Sequence, residues 1–217
     1  DNGRVVVFES RAGILVPGDT NGTWDVFLHD MESGDTVLIS RAPDGSPGNG
    51  GSYRPEITGD GRSVIYRSFA SNLVPDDTEG SLDVFVYNID TGVTELVSVA
   101  SDGSKSNGAC LYPTISDDGR YAAFYSTATN LVTGDTNGFA DVFVRDRTLG
   151  VTIRVSVASD GTESNYPTSN PVISGDGGAV VFDSGASNLV ADDTNGETDV
   201  FVYDLQSRQT TRVSVAG

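Results

Sequence analysis

Asp25-Val26-Phe27-Leu28, Asp83-Val84-Phe85-Val86, Asp141-Val142-Phe143-Val144 and Asp199-Val200-Phe201-Val202 are one segment written four times, and its reading decides the fold. The copies stand 58 residues apart (83−25, 141−83, 199−141), without insertion or deletion. Gly3, Gly61, Gly119 and Gly177 keep the same step, as do Phe8, Tyr66, Phe124 and Phe182. A fixed period of this size marks one supersecondary unit stacked on copies of itself. The segment is nearly continuous in apolar residues, so it reads as a strand buried on both faces, between sheets packed face to face.

Working outward in the third copy, residues 112–116 form a short extended segment carrying Pro113. Asp118-Gly119 follows and supplies the positive φ of a tight hairpin. Residues 120–126, 141–146 and 152–158 complete a set of four strands, with β-branched and aromatic runs and no 3.6-residue period. Four-stranded antiparallel sheets, each sandwiched between copies of itself, are the blades of a β-propeller. A parallel β-helix needs a shorter repeat, and an immunoglobulin-like sandwich a longer one of about 100 residues.

The order of these pieces resembles the TolB-like class of β-propeller repeats, relatives of the WD-repeat propellers. It is carried by Pro55-Glu56-Ile57-Thr58-Gly59-Asp60-Gly61-Arg62, Pro113-Thr114-Ile115-Ser116-Asp117-Asp118-Gly119-Arg120 and Pro171-Val172-Ile173-Ser174-Gly175-Asp176-Gly177-Gly178, and it covers essentially the whole chain. The resemblance implies an all-β propeller of four tandem 58-residue blades, each a four-stranded antiparallel sheet. The inserted Ala186-Ser187-Asn188-Leu189-Val190, followed by Asp193-Thr194-Asn195-Gly196, departs from TolB, so TolB's own envelope role is not carried over.

The repeats run 1–58, 59–116, 117–174 and 175–217, the last incomplete. The first blade correspondingly has no short Pro strand ahead of it. Either the chain is a segment of a larger propeller, or another chain completes its ends, two copies making eight blades or copies exchanging strands head to tail. Unpaired terminal blade edges of this kind must be covered by something. The opening Asp1-Asn2-Gly3-Arg4 falls inside a unit, which reads as mature or cut material.

Acidic residues outnumber basic ones, 31 to 13, for a net charge of −18. That field repels nucleic acid and anionic membrane surfaces and favours cations or basic partners. No run of 18 apolar residues exists, so no spanning helix is expected. Cys110 is the one cysteine; its repeat equivalents Ser52 and Thr168 are small, which marks a packing position.

One motif carries chemistry. Every copy has an acidic loop before the Val-Phe-Val strand: Asp19, Asn21, Asp25; Asp77, Glu79, Asp83; Asp135, Asn137, Asp141; Asp193, Asn195, Asp199. Oxygen ligands at offsets 0, 2 and 6 around a glycine resemble part of the Asp-rich calcium loops, with Asp76 or Asp192 available to add a ligand. A calcium ion here is structural, neutralising repelling carboxylates. The same letters also make a metal-free Asx turn, and both readings stand. The preceding Asn72-Leu73-Val74, Asn130-Leu131-Val132 and Asn188-Leu189-Val190 pin the loop, whereas the first copy has Gly13-Ile14-Leu15-Val16 and its loop should sit differently.

An enzyme reading finds little support. His29 is the one histidine and stands at a column otherwise filled by Tyr87, Arg145 and Tyr203. No nucleophile elbow, phosphate loop or His/Cys cluster is present. Positions that break the repeat symmetry are better candidates for binding: Trp24 and Phe139 at the loop apex, and Tyr53 and Tyr112 beside the short inner strand, facing a central channel. The expectation is a non-catalytic, extracellular or periplasmic propeller that binds a protein partner or self-associates. Two alternatives remain: a carbohydrate-binding propeller, and the accessory propeller of a larger hydrolase.

Overall fold

The protein is described by a computed structural model covering residues 3–75, 77 and 80–215. Its described residues form fifteen strands and no helix, grouped into two compact units, Asp1–Val97 and Ser98–Gly217.

The first unit holds two antiparallel sheets. One has three strands in the order β1 (Val5–Ser10), β2 (Asp25–Asp30), β3 (Thr36–Leu38). The other has four: β4 (Ser52–Ile57), β5 (Ser63–Ser68), β6 (Asp83–Asn88) and β7 (Val93–Leu96). The second unit holds two four-stranded sheets, β8 (Cys110–Ile115), β9 (Tyr121–Ser126), β10 (Asp141–Asp146), β11 (Val151–Arg154), then β12 (Thr168–Ile173), β13 (Ala179–Ser184), β14 (Asp199–Asp204), β15 (Thr210–Arg212). Each four-stranded sheet is a simple meander. It takes its first strand from the last residues of one 58-residue repeat and the other three from the next.

Each Asp-Gly hairpin forms as expected. Gly61, Gly119 and Gly177 lie at φ 71, 71 and 70°, and the preceding Asp accepts the N–H two residues on, as Asp118 Oδ1 does from Arg120 at 2.9 Å. The prolines of the short strands are tolerated because those strands lie at sheet edges and are bulged there. Arg54, Tyr112 and Asn170, each just before a proline, sit at φ 53, 48 and 50°, and the pairing register shifts at the same place. Pro-preceding residues avoid the right-handed helical region, but this left-handed excursion needs the bulge around it.

One expected strand is shorter than read. Residues 152–158 were to form the outer strand, yet β11 stops at Arg154. The chain turns there because Ser156 Oγ takes the Val142 N–H at 3.1 Å and donates to Asp141 Oδ1, so a side chain replaces the backbone ladder. Ser40 makes the same tie to Val26 and Asp25, and Ser214 to Val200 and Asp199.

Packing follows one rule in both units. In the first, Val26, Leu28, Val5 and Val7 of the three-stranded sheet pack on Val64, Tyr66, Phe85 and Tyr87 of its neighbour. In the second, Ala123, Val142 and Val144 of one sheet pack on Val180, Phe182, Phe201 and Tyr203 of the next. Within each sheet a stacked ring pair bridges two strands: Phe8–Phe27, Tyr66–Phe85, Phe124–Phe143 and Phe182–Phe201, at 5.6, 5.9, 6.1 and 5.8 Å. Each pair adds ~0.5–1.5 kcal/mol beyond its burial.

Val84-Phe85-Val86 and Val142-Phe143-Val144 are buried on both faces, as expected. The fourth copy differs. Phe201 is buried but Val200 is 37% exposed, and Val181 and Val172 on the same face are 38% and 55% exposed.

Candidate binding surfaces and acidic loops

The third acidic loop shows what the motif builds. Asn137 Oδ1 accepts the Phe139 N–H at 2.9 Å, closing an Asx turn, and its amide donates to Asp141 Oδ2 at 3.0 Å and to the Ser164 carbonyl at 3.2 Å. Arg154, with a side chain only 8% exposed, then places Nη1 3.1 Å from Asp135 Oδ1, 3.3 Å from Asp141 Oδ2 and 2.6 Å from Glu163 Oε1. A guanidinium therefore sits among the carboxylates, at the place the calcium reading of this loop gives to an ion, while Asn137 closes the Asx turn of the other reading. Asp135 contributes charge and no aligned hydrogen bond.

Burial pushes the Asp141 carboxyl above its ordinary range, against the pull of Ser156 and Arg154. Asp135 is pushed the same way, first by burial and then by the neighbouring Asp141 charge. Glu163 is pulled down to about 2, chiefly by the hydroxyl and N–H of Thr136, with Arg154 adding to them. The fourth loop repeats the arrangement: Arg212 Nη1 lies 2.8 Å from Asp193 Oδ1 and 3.2 Å from Asp199 Oδ2, while Asn195 donates to Asp199 at 2.9 Å. Ser214, before any other group, holds Asp199 below the carboxylate range.

The first loop has the same turn, but Leu38 stands where Arg154 and Arg212 stand in the other two, and its arginine contact is Arg11 Nε donating to the Gly22 carbonyl at 2.9 Å. Asn21 donates to Asp25 Oδ2 at 2.8 Å and to the Gly48 carbonyl at 2.9 Å, and its Oδ1 accepts the Thr23 N–H at 3.0 Å. Asp25 is fully buried and its carboxyl is pushed up, first by burial. In the second loop Ser81 donates to Asp83 Oδ2 at 2.7 Å; Asp77 is buried, and Glu79 and Asp76 lie outside the described residues. The arginines were the functional residues the motif reading missed. Their signal was a column, Leu38, Leu96, Arg154, Arg212, that changes from apolar to cationic at the 58-residue step.

The Asn-Leu-Val segments do pin the loops. Asn72 Oδ1 accepts the Asn49 N–H at 2.9 Å while Asn49 Oδ1 accepts the Ser71 N–H at 2.7 Å, a reciprocal latch repeated at Asn107–Asn130 and Asn165–Asn188. Leu73, Leu131 and Leu189 are buried beneath it. In the first copy Ile14 and Leu15 are exposed instead, which is the different seating expected there. Cys110 is fully buried between Ser106 and Ser126, a packing position. His29 Nδ1 meets Thr36 Oγ1 at 2.9 Å on its strand.

Two binding candidates expected on separate surfaces come together. The Trp24 ring lies 6.4 Å from that of Tyr53, which in turn meets Phe69 edge-on at 6.4 Å. Trp24 is 42% and Phe69 47% exposed, so the cluster is a surface feature. Gly50 and Gly51 seat it, since a Cβ at Gly51 would stand 2.3 Å from the Tyr53 hydroxyl. Phe69 was not read from the sequence because its column holds Arg11, Thr127 and Gly185, which show no pattern. Phe139 pairs with Tyr166 at 6.1 Å, and Tyr112 with Tyr125 at 6.2 Å.

Among the described residues, no helix is long and apolar enough to cross a membrane. No protein-family model matches the sequence, and no curated protein matches it. Solved structures do resemble it. A putative TolB from Agrobacterium tumefaciens aligns over 97% of this chain and 61% of its own, with TM-score 0.58 and 18% identity. The propeller domain of the Trilobed protease from Pyrococcus furiosus aligns over 97% of this chain and 54% of its own, with TM-score 0.56 and 10% identity. The tricorn protease aligns over 98% of this chain and 20% of its own, with TM-score 0.60 and 14% identity. The chain thus spans at most 61% of the length of these proteins. The likeness fixes the fold: this is an all-β repeat chain of the β-propeller type, similar to TolB and to the propellers of these proteases.

Proposed function

We propose that the chain is a non-catalytic β-propeller module that binds other propeller sheets, in the first place those of a second copy of itself, working outside the cytoplasm as its resemblance to TolB suggests. The observation that carries this is the pair of uncovered faces. Inside each unit, the face bearing Val26 or Val142 is covered by a neighbour's face bearing Tyr66 or Phe182. The fourth sheet presents the first kind of face with Val172, Val181 and Val200 exposed. The first sheet presents the second kind, with Val6 exposed on the side of Phe8 and His29. The two are complementary in the way already realised twice within the chain, which favours head-to-tail association over a self-complementary patch.

Val6→Asp should block one face and Val200→Asp the other, each reducing the native particle mass. Mixing the two variants should restore a one-to-one complex, since each retains one working face. Two variants that stay monomeric when mixed, or that assemble as well as the wild type, would refute the reading.

A specific observation favours a second contact on the same module. The Trp24–Tyr53–Phe69 cluster offers exposed rings with Glu9 close by, whose Oε2 accepts the Arg54 N–H at 2.5 Å. Rings beside polar groups suit a protein hot spot or a sugar face. Trp24 is the sole tryptophan, so its fluorescence reports occupancy directly; emission unmoved by candidate proteins and glycans alike would remove this contact.

A further inference from the structure

We propose that the head-to-tail contact is keyed by one polar latch, in which the Thr36 hydroxyl of one copy donates to the Val215 main-chain carbonyl of the next. It rests on the self-association proposed for this chain and names the pair of groups that fixes how one copy seats on the other. The latch is already made twice inside the second unit. Thr152 Oγ1 donates to the Val99 carbonyl, and Thr210 Oγ1 to the Val157 carbonyl. A serine seals each place: Ser101 Oγ accepts the Thr152 N–H at 2.9 Å, and Ser159 Oγ the Thr210 N–H at 3.0 Å. Both threonines are buried there.

The two sides of the latch recur at the 58-residue step. Thr36 belongs to the series Thr94, Thr152, Thr210, and Val215 to the series Arg41, Val99, Val157. In the first unit Thr94 lines one cavity with Arg41 and Pro43, the same three columns, with proline at the serine position. The approach to Val215 is that of Val157. Val213 donates its N–H to the Val200 carbonyl at 2.9 Å and Ser214 Oγ accepts the Val200 N–H, as Val155 and Ser156 do with Val142. Exposure separates them: Val99 and Val157 are 8% and 9% exposed, Val215 59%.

Thr36 is prepared in the same manner. Thr152 Oγ1 accepts Arg145 Nη1 at 3.2 Å, which leaves its own hydrogen for Val99. His29 fills the Arg145 column, and its Nδ1 meets Thr36 Oγ1 at 2.9 Å. With the proton on Nδ1 the ring donates to Thr36 and leaves the hydroxyl hydrogen for an acceptor outside the sheet. Burial of apolar surface is non-directional, whereas a hydroxyl aimed at a carbonyl is not, so the latch sets the register of two faces that valines alone would let slide.

The test uses the two blocked variants of the whole chain. Val200→Asp keeps the Thr36 face and Val6→Asp keeps the Val215 end, so the two pair one to one. Adding Thr36→Val to Val200→Asp should weaken that pair about tenfold in sedimentation, since the donor is lost and a carbonyl is covered without one. Adding Thr36→Val to Val6→Asp should leave the affinity unchanged, because that face is already out of use. Thr36→Ser, which keeps the hydroxyl, should stay within about threefold of the parent on either background. An affinity indifferent to Thr36→Val on the Val200→Asp side, or an equal loss on both sides, would overturn the latch and leave the association standing. No pairing of the two parent variants would overturn both.

Discussion

Replacing Arg154 by methionine keeps the aliphatic stem and removes the charge that three carboxylates share. Arg154 is nearly buried, with Asp135, Asp141 and Glu163 at 3.1, 3.3 and 2.6 Å. Deleting one partner of a buried ionic cluster leaves the others uncompensated and costs about 3–5 kcal/mol, against ~0–1 kcal/mol for an exposed pair. A chain of this size loses about 2–4 °C of Tm per kcal/mol, so the expected drop is on the order of 6–20 °C. The assay is paired thermal and urea unfolding in chelator, so that no added metal substitutes for the guanidinium. The loss should also depend on pH. Glu163 has its folded pKa near 2, below its ordinary 4.5, so its contribution is complete above about pH 4.5 and disappears as pH falls towards 2. Because the Thr136 bonds remain in the variant, only the smaller Arg154 share of that lowering separates the two proteins, so the gap should narrow slightly through that window. A change under ~1 kcal/mol at neutral pH would mean that the cluster is effectively solvated, and the reasoning would fail.

Three further outcomes are expected. Ser156→Ala strips a hydroxyl that holds both the Val142 N–H and Asp141, leaving two buried groups without it; unfolding should be easier by ~1–3 kcal/mol in denaturant titration. Gly50→Ala should destabilise by about 1–3 kcal/mol, since its Cβ would stand 2.6 Å from the Phe69 carbonyl and 2.8 Å from the Ala70 nitrogen. Gly80→Ala, with nothing nearer than 3.9 Å, is the matched control and should stay within ~0.5 kcal/mol of wild type. Glu163→Gln should flatten the acid limb of the stability curve between pH 4.5 and 2, because the group whose lowered pKa gives that limb no longer titrates.

The strands were legible because their causes are local. Val84-Phe85-Val86 announces a central strand by composition, and Asp118-Gly119 a hairpin by backbone geometry, so both follow from the local sequence. The end of β11 was not, because Ser156 stops the ladder with a side-chain bond to a residue fourteen positions earlier. The acidic loop was legible as a turn and ambiguous as a site. The arginines that answer it stand on β11 and β15, 13 residues beyond Asp141 and Asp199, and meet the carboxylates only when the hairpin register of the sheet is formed. The Trp24–Tyr53–Phe69 cluster joins a loop, an edge strand and the residue after β5, a proximity that no local pattern encodes. The exposed face of the fourth sheet was hidden for the opposite reason. Val200-Phe201-Val202 is as apolar as its sister segments, and the exposure of Val200 distinguishes it from Val84 and Val142.

Hydrogen exchange along the Val-Phe-Val segments, measured at low and high protein concentration, tests the stacking of sheet on sheet most directly. In dilute solution residues 84–86 and 142–144 should be the slowest amides and residues 200–202 measurably faster, since less packing holds that strand closed. Raising the concentration should slow residues 200–202 towards the level of 142–144 as a second copy covers the open face. Exchange of 142–144 at loop rates, or protection of 200–202 that ignores concentration, would contradict the account.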